Sequence, residues 1–241
     1  MIIYKEISDS KIGHLILNRP QKLNAINEEF LYKLEEHVDF IRSNNDLRVL
    51  IISSSISKAF SAGIDVQLVK SYSNREASLF FKRISEVLKK ILNLPMLTIA
   101  AINGNAYGAG ADIALSCDLR VANQKTTFRF PGAQFGIVLG THRLANEIGY
   151  SKARMLVLTN KKLSAQQTVD FGLVHELSNA EDSYQRALEI AEGITPIPIF
   201  TVNSICDICS EYNELSSISV AEHSALNGDF HTRFRQYLIE S

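Results

Sequence analysis

Two stretches place glycines where the chain leaves an apolar run, and each ends in an acid. Ala59-Phe-Ser-Ala-Gly-Ile-Asp65 follows the run 48–53, and Asn103-Gly-Asn-Ala-Tyr-Gly-Ala-Gly-Ala-Asp112 follows 96–102. A glycine turn that runs into a helix leaves main-chain N–H groups unpaired, and such groups attract negative charge. In open α/β folds that strand edge is where ligands collect. The plainer reading is that these glycines only permit tight turns and close packing. Asp112 reads as an acid/base group or as a structural acid near a helix start, where negative charge is favourable. The mid-chain spacing Gly104, Gly108, Gly110 does not fit a dinucleotide fingerprint, and no G-K-[ST] follows to make a phosphate loop. Cys206 and Cys209 form a C-x-x-C, but only Cys117 remains as a further cysteine, so a zinc site lacks its second ligand pair. No metal site is expected.

Such groups need a scaffold, and the first third of the chain supplies the pattern of one. Short β-rich runs alternate with longer amphipathic ones, which predicts an α/β fold with helices packed on a sheet. Residues 2–7 and 14–18 flank the polar 8–11 segment and read as paired strands. From Glu28 the residues Phe30, Leu31, Leu34, Val38 and Ile41 recur at helical spacing. Residues 48–53 and 96–102 read as buried strands, with a helix between 71 and 93 that must stop before Pro95. Residues 111–117 form a helix after the second glycine turn, and 119–122 return to strand. Beyond this the chain turns helical: 140–148, 152–158, a helix opened by the capping-box pattern Ser164-Ala-Gln-Gln167 and closed by Gly172, then 179–193. Pro196 and Pro198 interrupt, so a core over 1–195 and a C-terminal helical segment over 196–241 are expected, the segment covering the site or joining subunits.

The chain has 241 residues, 46% hydrophobic and 21% charged, with Lys plus Arg at 25 against Asp plus Glu at 26. That length buries roughly 70–75% of the unfolded surface, enough for one sizeable core. A balanced charge offers no large field to draw in nucleic acid or an anionic membrane. No apolar run approaches the roughly 20 residues a bilayer span needs, and the polar Lys5 and Glu6 come too early for a signal peptide. A cytoplasmic location is the expectation.

Leu17-Asn-Arg-Pro20 with Leu23-Asn-Ala25, the 59–65 stretch, Ile102-Asn-Gly104 with Gly108-Ala-Gly110, and Cys117-Asp-Leu-Arg-Val-Ala122 occur in an order that resembles the crotonase superfamily, the enoyl-CoA hydratases and isomerases. Gly140-Thr-His-Arg-Leu144, Leu158-Thr159, Leu163-Ser-Ala165 and Gly172-Leu-Val174 continue the resemblance, which covers about residues 2–180. It implies a spiral of ββα units, an acyl-CoA or acyl-carrier thioester as substrate, no cofactor beyond the coenzyme A of that thioester, and a homotrimer or hexamer. It also implies an oxyanion hole whose two N–H donors, transferred by position, are Ile64 and Ala109. The same transfer assigns substrate contacts to Lys22, Leu23, Ala25, Ala62, Gly63, Gly108, Pro131 and Gly132.

The acid/base residues depart from the family pattern. Hydratases of the family carry two glutamates, and the corresponding positions here are Asp112 and Gly132, which follows Phe130-Pro131. A further acid position used by some relatives is Gly140. Asp112 is therefore the catalytic candidate, with Tyr107, His142 and Glu147 as substitutes that each have an ordinary structural reading. His223 and His231 are read as surface residues rather than parts of a neighbour's pocket. Asp65 is read as a loop-fixing acid. Hydration or isomerisation of an acyl-CoA comes first, decarboxylation or thioester hydrolysis second, and a non-catalytic acyl-CoA-binding subunit is the rival from another class.

Overall fold

The computed structural model describes residues 1–7, 10–179, 182–209, 222, 226 and 230–240. Strands β1 (Ile2–Ile7) and β2 (Ile12–Leu17) pair antiparallel, as their alternation predicts. Helix α1 (Glu28–Arg42) is N-capped by Asn27, whose side chain accepts from the Phe30 N–H, and it buries all five residues of its expected stripe.

A unit then repeats three times. Its first strand enters a large sheet, its second a small one, and a helix or helical turn follows. In the first unit β3 (Val49–Ser54) and β4 (Ala59–Ser61) lead to the short α2 (Val66–Val69) and to α3 (Asn74–Leu92), which opens with a capping box between Ser73 and Glu76. In the second β5 (Leu97–Ile102) and β6 (Asn105–Tyr107) lead to α4 (Ala109–Leu115). In the third β7 (Leu119–Ala122) and β8 (Thr127–Arg129) lead to a 3-10 turn, Pro131–Phe135, and on to α5 (Thr141–Ile148) and α6 (Tyr150–Thr159). After these come β9 (Leu163–Ser164), α7 (Ala165–Asp170), β10 (Glu176–Leu177), α8 (Ser183–Ile194), α9 (Ile199–Cys209) and α10 (Phe230–Glu240).

The large sheet runs β1-β2-β3-β5-β7-β10 and the small one β4-β6-β8-β9. Within the small sheet β4, β6 and β8 are parallel, so the chain leaves all three at the same edge. The two glycine stretches, expected as turns, each contain one of these three-residue strands. They were hidden from periodicity because three residues carry too few alternations to count.

Alternate residues of the buried strands serve two cores. Leu50 and Ile52 of β3 join the main core with α1, α3 and α4, whereas Val49 and Ile51 face a second cluster closed by Ala187 and Ala191 of α8. The boundary near residue 195 is not a boundary in packing. Val202 and Cys206 of α9 rest on the second cluster, and Phe230 and Phe234 of α10 are fully buried in the main core. His231 is half-buried with its N–H donating to Asn74, whereas His223 and the side chain of Cys209 lie outside the described residues. Among the described residues no helix is long and apolar enough to cross a membrane.

Candidate active site

The exits of β4, β6 and β8 meet around a cavity of 140 Å³. Ala62, Gly63 and Ile64 form one wall, Gly108, Ala109 and Asp112 a second, Pro131 and Gly132 a third. Phe81 of α3, Phe135 and Phe234 of α10 give the rest an apolar character.

Ile64 sits in a single parallel bridge with Ile26. The Ile26 N–H donates to the Gly63 carbonyl at 2.7 Å and the Asp65 N–H to the Ile26 carbonyl at 2.8 Å. Extended backbone alternates its polar groups side to side, so the Ile64 N–H is turned the opposite way. Ala109 is the first residue of α4, where no intrahelical acceptor exists. Neither N–H donates to any group among the described residues. The two turns touch: at Gly63, with φ +88°, a Cβ would stand 2.6 Å from the Tyr107 carbonyl oxygen and 3.5 Å from the Ala109 nitrogen. Gly110 lets α4 lie on β4, since a Cβ there would be 2.5 Å from the Ser61 carbonyl oxygen. Gly108 adopts φ +49° and ψ −124°, a conformation only glycine takes readily, and its N–H donates to the Arg129 carbonyl at 2.9 Å.

Asp112 lines the same cavity, 3% exposed. Burial pushes its pKa up to about 7, with the Arg143 charge drawing it back down. Its Oδ1 has no hydrogen-bond partner among the described residues. The two positions at which relatives were expected to place acids are structurally committed to glycine. A Cβ on Gly132 would meet the Ile137 carbonyl oxygen at 2.9 Å, and one on Gly140, with φ +64°, would run into Asp112 Oδ1 itself.

The other expected residues divide. Lys22, Leu23 and Ala25 are not part of the cavity wall; Leu23 and Lys22 are exposed and Ala25 is buried. They abut it through the Ala62 N–H, which donates to the Leu23 carbonyl at 2.9 Å. Asp65 is turned away, ion-paired with Arg19 at 2.7 Å and capping α2 through the Gln67 N–H. Tyr107 reaches the cavity, with its hydroxyl 2.9 Å from Thr127 Oγ1. Glu147 is drawn off to the fully buried Arg120, which also donates to the carbonyls of Leu173 and Cys117 at 2.6 Å. Burial raises the Glu147 pKa and Arg120 opposes that. Cys117 is buried, its Sγ 3.5 Å from the Ile113 carbonyl oxygen, and among the described residues no His/Cys/Asp/Glu group is placed to hold a metal.

Sequence reasoning missed Arg143, which it quoted inside a motif without a role, and Phe81 and Phe234, which only tertiary packing brings to the cavity. A buried arginine carries no local pattern; it reads as an ordinary polar residue on an amphipathic helix.

Parallel strands whose ends converge on a cavity, with helices returning over both sheets, define an α/β protein of crotonase architecture. The family model for enoyl-CoA hydratase/isomerase matches residues 8–233, and the chain belongs to that family. It is 33% identical over 221 residues to "Probable enoyl-CoA hydratase 2, mitochondrial" of Arabidopsis thaliana, covering 89% of this chain and 73% of the relative. It is 34% identical over 192 residues to "Enoyl-CoA hydratase domain-containing protein 2, mitochondrial" of Bos taurus, covering 77% of this chain and 65% of that protein, just under two thirds of its length. The crystal structure of enoyl-CoA hydratase from Bacillus anthracis superposes with a TM-score of 0.83 at 26% identity, over 100% of this chain and 91% of the other.

Proposed function

We propose that this protein binds an acyl-CoA thioester with its carbonyl oxygen between the Ile64 and Ala109 N–H groups and runs acid/base chemistry on the bound acyl chain through Asp112. The observation that carries this is the pair of unpartnered main-chain donors on touching turns, with one buried carboxyl in the same cavity. Removing a proton next to a thioester, or adding water to its β-carbon, drives an electron pair onto the carbonyl oxygen. Two donors fixed by the fold stabilise that charge without reorganising, and the loss of one costs about 3 kcal/mol of barrier.

A single carboxyl can serve both halves of the reaction. In hydration the water oxygen bonds to the β-carbon, its proton passes to Asp112, and the enolate then takes that proton at the α-carbon. In isomerisation Asp112 removes a proton at one end of the allylic system and returns it at the other. Each demands a group that is both acid and base near neutral pH, and the value near 7 meets that demand. The apolar wall of Phe81, Phe135 and Phe234 suits an uncharged acyl chain.

The test is exchange of the α-proton for deuterium over a panel of acyl-CoA thioesters, because it reports the enolate whatever the product. The wild type is expected to exchange, and Asp112→Asn to lose exchange while keeping micromolar binding. A wild type that binds acyl-CoA and exchanges nothing is instead a non-catalytic acyl-CoA binder.

A further inference from the structure

The Asp112 carboxyl is buried, and its Oδ1 has no hydrogen-bond partner among the described residues, so its anion needs support from elsewhere. Helix α5 supplies that support in two ways. Its N-cap Gly140 lies so close that a Cβ there would collide with Oδ1, which sets the carboxyl against the positive end of an eight-residue helix with no side-chain cap. One turn further on is Arg143, 4% exposed, whose charge favours the Asp112 anion.

Of the other elements around Asp112, β8 brings one further cation to the cavity. Tyr107 of β6 and Arg129 of β8 line the cavity, the Tyr107 hydroxyl engaged with Thr127 and the Arg129 Nε donating to Asn160 at 2.9 Å. His142 neighbours Arg143 on α5, α3 brings Phe81 to the cavity, and β4 packs Ser61 against Gly110.

We propose that Arg143 is the positioning residue of Asp112: buried one turn along α5 from Gly140, the glycine that Oδ1 abuts, its guanidinium is the cation set against the carboxyl at that helix end. This rests on Asp112 being the acid/base group, and it assigns a role to a side chain that touches no substrate. Gly140 is the other half of the arrangement, because only a residue without a Cβ leaves the carboxyl its place. Burial alone would leave Asp112 a poor base at pH 7; Arg143 sets how much of it is ionised.

The test is the titration of the Asp112 carboxyl, followed by NMR in the full chain labelled with carboxyl-13C aspartate and assigned by its loss in Asp112→Asn. The wild-type midpoint is expected near 7. In Arg143→Gln it should rise by about one pH unit, as for a carboxylate deprived of a nearby cation. Arg143→Met, which keeps the aliphatic stem, serves as a second neutral variant and should show the same rise. Arg143→Lys, which can keep the charge, should raise the midpoint less than either neutral variant. The acid limb of the exchange rate should move with the midpoint, a displacement that a merely structural arginine would not produce. A midpoint unmoved in folded Arg143→Gln or Arg143→Met overturns the proposal. The titration is read without thioester, so it is independent of the enolate reading: a displaced midpoint in a protein that exchanges nothing supports Arg143 and refutes only the proposed reaction.

Discussion

Gly63→Ala tests whether the touching turns are what aligns the two donors. A Cβ at Gly63 would stand 2.6 Å from the Tyr107 carbonyl oxygen, about 0.8 Å inside ordinary van der Waals contact, and the obstacle is backbone rather than a side chain that can swing away. The 62–64 turn must therefore back off from the 108–109 turn, and the Ile64 N–H, one residue on, moves with it. A hydrogen bond of about 2.9 Å stretched by most of that gap is no longer one. The predicted effect is the loss of one oxyanion donor, a fall of about 100- to 1000-fold in the α-proton exchange rate at saturating acyl-CoA. Alanine at φ +88° also costs about 1 kcal/mol of backbone strain. Gly149→Ala controls for positive-φ strain away from the cavity: it has φ +83° with nothing within 4 Å of the added Cβ, so it should lose stability and keep its exchange rate. If Gly63→Ala folds and exchanges within about threefold of the wild type, the reasoning about the paired donors is wrong.

Asp112 should also cost stability. Its folded pKa of about 7 lies above the ordinary 3.8, so the native state holds a proton that the unfolded chain releases, and stability falls as pH rises from about 4 through 7. Asp112→Asn escapes this, so its advantage over the wild type should grow across that window to roughly 4 kcal/mol; denaturant unfolding at pH 5 and pH 8 measures it, and parallel pH dependences would refute it. Phe234 is 1% exposed, stacked on Phe230 at 5.1 Å between centroids and edge-on to Phe135 at 5.3 Å. Phe234→Ala should cost about 3–5 kcal/mol and shift exchange toward longer acyl chains; an unchanged chain-length profile would show that α10 does not bound the acyl site.

Much of the scaffold was legible residue by residue. The stripe from Phe30 to Ile41, the capping box at Ser164 and Gln167, and the apolar runs that became β3 and β5 each carry their signal within a few residues, and each formed close to where that signal placed it. The motif order sufficed for the family, because its pieces are local and colinear. Asp112 was nameable for the same reason.

What no local signal carried is where the pieces meet. The three-residue strands β4, β6 and β8 acquire meaning only by pairing in parallel, and that pairing puts residues 62–64, 108–112 and 131–132, far apart in the chain, around one cavity. Burial is likewise a property of the assembled molecule: it lifts the Asp112 pKa, gives Arg143 its leverage, and brings Phe234 into the main core from beyond the expected boundary at 195. Residue types and their order thus determined which groups were available for chemistry. Long-range pairing decided which of them share a space, and the exclusion of water from that space sets their charge.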